Sequence, residues 1–156
     1  MKEYEKTGVI ALNEIRIPSE EQLKRGVAIT ECVQEIPCNP CVDACPVDAI
    51  SMENINSPPF VDYDKCTGCA QCAAVCPGLA IFVVKLEEEK ALVTLPYEFL
   101  PLPEKGEEVK ALDREGKEAG KAIVKRVIKK RDRTCLVTVE VDRELAMVAR
   151  NIRVVK

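Results

Sequence analysis

Cys66, Cys69, Cys72 and Cys76 stand in the stretch "CTGCAQCAAVCPG" at gaps of two, two and three residues, with Pro77 directly behind the last. Thiolates are soft ligands, and four of them in the pattern C-x2-C-x2-C-x3-C-P suit an iron–sulfur cube. A [4Fe-4S] cube needs its four sulfurs to converge from different directions, so no short helix or strand can supply all of them. A loop must wrap it. Gly68 and Ala70 keep that loop close, which lets backbone N–H groups approach the sulfurs. Pro77 turns the chain away and directs the Cys76 thiolate elsewhere.

The pattern occurs twice. "CPVDAI" from Cys45 matches "CPGLAI" from Cys76, thirty-one residues later, and each copy is preceded by three more cysteines. A β-like segment leads into each group, "GVAITEC" into the first and "FVDYDKC" into the second. Such a duplication implies two similar halves related by a pseudo-twofold axis.

On these residues the chain resembles the bacterial-type ferredoxins with two [4Fe-4S] clusters, over roughly residues 27–84. The resemblance implies that Cys66, Cys69, Cys72 and Cys45 hold one cluster and Cys38, Cys41 and Cys76 the other, each copy lending its last cysteine to its neighbour. The family pattern places an eighth ligand at position 35, which here is Glu35; Cys32 lies upstream instead and gives C-x5-C-x2-C-x3-C-P. Lengthening a short surface loop costs a fraction of a kcal/mol, so Cys32 is expected to complete the first site. Without it that site would hold a three-iron or labile cluster.

Other uses of cysteine fit less well. A zinc ribbon takes two C-x2-C pairs on a longer spacer and has no need of four close cysteines before a proline, twice over. Disulfides suit an oxidising compartment, whereas the charged N-terminus and the lack of a long apolar run point to the cytoplasm, with no membrane span. Cys135, apart from the other eight, alternates with Val137, Val139 and Val141 and reads as a buried structural thiol.

The elements that must position these groups follow from periodicity and punctuation. A strand is expected at residues 8–12, then a brief helix in "PSEEQLKRG" with Ser19 and Gln22 as a capping box and Gly26 as its stop. "VAITEC" is the strand before the first cysteine group. After Ile81, "IFVVKL" and "ALVTLPYEFL" read as strands around an acidic turn, residues 101–108 as a loop, and "EEVKAL", "KAIVKRVIKK" and "CLVTVEV" as further strands. "DRELAMVARN" suits a short helix and "IRVV" a last strand. The fold expected is α+β: a ferredoxin-like two-cluster domain at residues 1–95 (core 27–84), followed at 96–156 by a small, mostly-β, barrel-like domain that serves in docking.

Charge divides along the same line. Residues 1–95 carry 8 basic and 15 acidic side chains, and residues 96–156 carry 15 and 11, within a net charge of −3. With no histidine there is no histidine-based nucleophile, Rieske centre or histidine-held haem. No cysteine follows either C-x3-C pair at the spacing of radical S-adenosylmethionine enzymes, since positions 48 and 79 are Asp and Leu. No glycine-rich nucleotide loop is present. Asp43, Asp48, Asp62 and Asp64 read as solvent-facing or loop-capping groups. A cube closed by four cysteines offers no open iron to a substrate, so the expected function is non-catalytic one-electron transfer.

The composite resembles the small ferredoxin-type subunits of multi-subunit oxidoreductases, among them flavin-dependent amino-acid or amine dehydrogenase complexes. That implies a hetero-oligomer in which this chain relays electrons between a flavin-containing subunit, or another redox protein, and an acceptor. Two alternatives stand beside it: a free ferredoxin with an accessory domain, and an RNA-binding small barrel with structural or sensing clusters. Few aromatics and a pI near 5.3 oppose the latter, so no nucleic acid is expected.

Overall fold

The computed structural model describes residues 1–155. The chain opens with α1 (Glu3–Thr7) and α2 (Glu20–Arg25), and α2 starts as its sequence requires. The Gln22 amide donates to the Ser19 hydroxyl at 3.2 Å, the Ser19 amide donates back to the Gln22 side chain at 2.9 Å, and Gly26 ends the helix at a positive φ.

One antiparallel sheet gathers most of the remaining chain. It contains β1 (Val27–Thr30), β4 (Ile81–Leu86), β5 (Lys90–Tyr97), β6 (Glu108–Leu112), β7 (Glu118–Lys129), β8 (Cys135–Asp142) and β9 (Asn151–Val154), in the order β1-β4-β5-β8-β7-β6-β9. The short β2 (Ile50–Ser51) and β3 (Phe60–Val61) pair separately, and α3 (Pro40–Ala44) packs against α4 (Gln71–Val75). Among the described residues no helix is long and apolar enough to cross a membrane.

The core sits where the period-two pattern puts it. In β5, Ala91, Val93, Leu95 and Tyr97 pair in register with Val141, Val139, Val137 and Cys135 of β8, and all eight are buried. Burying side chains of this size stabilises by about 1.5–3 kcal/mol each before the cost of ordering them. In β4, Ile81, Phe82, Val83 and Val84 are all buried, so this strand is covered on both faces. It joins the cysteine-bearing segment to the rest of the sheet through β1 on one edge and β5 on the other. The boundary expected between residues 95 and 96 therefore falls inside β5.

Three local expectations are corrected. Residues 8–12 form no strand: the left-handed Gly8 (φ 76°) closes α1, no neighbouring strand pairs with the segment, and a 3-10 turn follows at Leu12–Glu14. "DRELAMVARN" makes a single 3-10 turn, Arg143–Leu145, because several of its later backbone groups bond to side chains and to β6 instead of to one another. The Arg150 amide donates to Leu112, and the Arg150 guanidinium takes the Ala146 and Ala149 carbonyls at 2.9 and 2.6 Å. The second half is strand-rich but not a closed barrel, since β1 and β9 stand at opposite ends of an open order.

Candidate iron–sulfur centre

The second cysteine group is set by a tight turn after β3. The Asp62 carboxylate accepts from the Asp64 amide at 3.0 Å, and the Asp62 carbonyl accepts from Lys65 and Cys66 at 3.1 and 3.0 Å. Asp62 is thus a loop cap, as expected, while Asp64 pairs with Arg25 at 3.3 Å. Gly68 (φ 70°) passes so close to the end of α2 that an added Cβ would lie 2.9 Å from the Gly26 carbonyl oxygen. Ala70 holds φ 68° at the entry to α4, a conformation that costs an L-residue about 1 kcal/mol and turns the loop inward.

The result is a cage. Cys66, Cys69 and Cys72 line one small cavity, and the fourth sulfur residue on its wall is Cys45, from the other copy. Two backbone amides point at these sulfurs: Ala28 donates to Cys66 at 3.3 Å and Ala49 to Cys45 at 3.2 Å. Such bonds favour the charged thiolate and, with a cluster in place, the added negative charge of reduction.

The first group gathers in a matching way. Cys38, whose amide is held by the Ile55 carbonyl at 3.1 Å, and the buried Cys41 flank the start of α3. Cys76 comes from the end of α4 and accepts from the Ala80 amide at 3.4 Å. Both Cys41 and Cys32 lie in the electrostatic field of Cys38 and Cys76. Cys32 is half-buried while Glu35, at the position the family pattern would give to cysteine, is exposed.

Burial is the main influence on these thiols. It pushes Cys72 up to about 12 and Cys41 up to about 11, with neighbouring cysteines adding to both, and it raises Cys32 as well. The sites suit thiols until a cation compensates them, and iron inverts that preference. Cys72 also lies in the field of Cys41, so the two groups adjoin. Among the described residues no three Cys, Asp or Glu side chains are set to hold a single metal ion. Four thiols around a cavity instead suit a cube, in which each sulfur takes a different iron.

Cys135 is buried opposite Tyr97, as its strand pattern implies, yet it shares the wall of a cavity with Cys76. Sequence reasoning missed a buried charge group beside the first site: Glu31 binds Arg114 and Arg150, which lie 83 and 119 residues along the chain. No spacing links residues so far apart, and only the folded sheet shows them together.

Known proteins resemble this segment. A family profile for the 4Fe-4S dicluster domain matches residues 27–80. The chain is 34% identical over 57 residues to the polyferredoxin-like subunit of an aliphatic sulfonate oxidoreductase from Pyrococcus furiosus, covering 36% of this chain and 33% of that one. It is 42% identical over 55 residues to a pyruvate synthase subunit from Methanothermobacter marburgensis, covering 35% and 58%. It is also 37% identical over 69 residues to a ferredoxin from Alicyclobacillus acidocaldarius, covering 43% of this chain and 85% of the relative. The chain spans about a third of the length of the sulfonate oxidoreductase subunit. No solved structure matches.

Proposed function

Because this chain belongs to the ferredoxins with a 4Fe-4S dicluster domain, we propose that it is a non-catalytic subunit that passes single electrons between a redox partner and an acceptor within a larger oxidoreductase. Two [4Fe-4S] clusters are its cofactors. In this reading Cys32, Cys38, Cys41 and Cys76 hold the first, and Cys45, Cys66, Cys69 and Cys72 the second. The observation that carries it is the cavity in which Cys45, from one copy of the repeat, meets three cysteines from the other.

Bound there, each cluster supplies a reversible one-electron couple. The chain's own residues do the rest. Four thiolates would occupy every iron of each cube, the Ala28, Ala49 and Ala80 amides donate to the sulfurs, and Ala28, Ile50 and Ala70 give the second site an apolar wall. Both ligand sets draw on α3 and α4, whose contact keeps the two sites adjacent.

The specific partner proposed is a flavin-containing dehydrogenase subunit, with residues 96–156 as the docking module built onto the far strands of the sheet. Two relatives carry "subunit" in their names, of a sulfonate oxidoreductase and of pyruvate synthase, which supports assembly into a complex. Anaerobic affinity purification of the full chain tests this: the reading expects a co-purifying oxidoreductase subunit with bound flavin. A chain that elutes alone near 17.3 kDa from native extract favours the free ferredoxin instead.

A further inference from the structure

The interior beside the first cysteine group is charged, and the interior beside the second is not. Glu31, 7% exposed, immediately precedes Cys32. Its carboxylate accepts from Arg114 Nε at 2.6 Å and Nη2 at 3.2 Å, and from Arg150 Nε. Arg150 is 6% exposed and stacks over Phe82 with its guanidinium 5.2 Å from the ring centre. Arg114 also donates to the Met147 carbonyl at 2.7 Å. Two guanidiniums, the buried Arg150 and the half-buried Arg114, thus share one carboxylate, which leaves the trio with one unit of net positive charge. The half-buried Asp113 and the exposed Glu115 line the same cavity, of about 490 Å³, but the Asp113 carboxylate accepts from turn amides and Glu115 pairs with Lys117 at 3.4 Å. The exposed Glu115–Lys117 pair is screened more than the buried Glu31 and Arg150.

The connection to the first site is short. The Glu31 amide donates to the Ala80 carbonyl at 2.7 Å, and the Ala80 amide donates to Cys76 Sγ at 3.4 Å. Around the second site the wall between the cysteines consists of Ala28, Val47, Ile50, Ala70 and Thr67, with no charged side chain. Reduction adds a negative charge, which a nearby buried cation favours and an apolar wall disfavours.

We propose that the Glu31–Arg114–Arg150 group holds the cluster bound by Cys32, Cys38, Cys41 and Cys76 at the higher reduction potential, so that a single electron on the chain rests there. The internal step balances by itself: one electron leaves the second site, which is oxidised, and reduces the first. The inference rests on the ligand sets proposed above. These are positioning residues, since none touches a thiol that binds iron.

Redox titration of the intact, cluster-loaded chain followed by electron paramagnetic resonance tests it, with Cys38→Ala identifying the first cluster by the signal it removes. The unsubstituted protein should show the first cluster above the second. Glu31→Gln removes a negative charge and should shift the first cluster upward, Arg114→Gln removes a positive one and should shift it downward, and Arg114→Lys should restore it. The second cluster should hold still throughout. Loss of packing alone would not give opposite signs. Shifts of the same sign, no shift, a shift confined to the second cluster, or a first cluster already below the second would each overturn the proposal. If Glu31→Gln fails to load, the Arg114 pair decides alone. An unsubstituted chain that assembles fewer than two clusters would instead remove the ligand reading on which the inference stands.

Discussion

Cys45 and Cys76 occupy the same place in two copies of one turn. Each sulfur accepts from the amide four residues on, Ala49 at 3.2 Å and Ala80 at 3.4 Å, and each is followed three residues later by a left-handed residue, Asp48 at φ 52° and Leu79 at φ 53°. Pro46 and Pro77 begin both turns. The shared geometry sends each cysteine out of its own group and into the other's.

With the ligand sets proposed above, that exchange should make iron content non-additive. Cys45→Ala removes a ligand from the same cluster as Cys69→Ala, so the double variant should lose no more iron than either single one. Cys45→Ala with Cys41→Ala strikes both clusters and should leave the chain nearly iron-free. Iron per chain, measured on anaerobically prepared protein, reads the difference directly, and a Cys45–Cys69 pair with additive losses would contradict the crosswise ligation.

Gly68→Ala places a methyl group 2.9 Å from the Gly26 carbonyl oxygen at a φ of 70°, where neither backbone can yield cheaply. The strain expected is about 1–3 kcal/mol. It should appear as a lower thermal midpoint and a faster loss of the second cluster's absorbance, while Gly116→Ala, which is also left-handed but meets nothing within 4 Å, should change the midpoint less and leave the cluster in place.

Cys135 and Val137 lie on one buried face of β8. Val137→Ala removes two buried methyl groups and should cost about 2 kcal/mol in denaturant unfolding, with iron content unchanged. Cys135→Ala should likewise keep its full iron. A loss of iron from that variant would mean that the thiol facing the cavity beside Cys76 serves as a ligand.

Acid and alkali should act oppositely on the empty and loaded chains. In the iron-free fold, burial holds the Cys41 and Cys72 thiols up to about 11 and about 12, above their ordinary value of 9.0. A raised folded value stabilises the fold below the unfolded value, and that contribution is lost as pH climbs through 9 towards 12. Iron-free protein should therefore melt at lower temperature at about pH 10 than at about pH 7. In the loaded chain, protons compete with iron for the same thiolates, so cluster absorbance should fall as pH drops below neutrality. Thermal scans and visible absorbance across this range check both signs.

The most local features were the most legible. Ser19 and Gln22 form the reciprocal cap that their spacing implies, and the alternation of β5 and β8 places Ala91 to Tyr97 against Cys135 to Val141. The cysteine repeat revealed the two groups because close spacing and the following prolines are local facts. What escaped depends on distant partners. Residues 8–12 have strand-like residues but no neighbour to pair with, and the helix expected near Arg150 gives up its carbonyls to guanidiniums that also hold Glu31. The open sheet order likewise depends on long-range pairings, β5 with β8 and β6 with β9, that no local spacing shows.

The most direct measurement is iron and acid-labile sulfide per chain, on protein purified without exposure to air. Two four-iron cubes require about eight of each. A colourless preparation holding zinc and no sulfide would contradict the two-cluster assignment at its root.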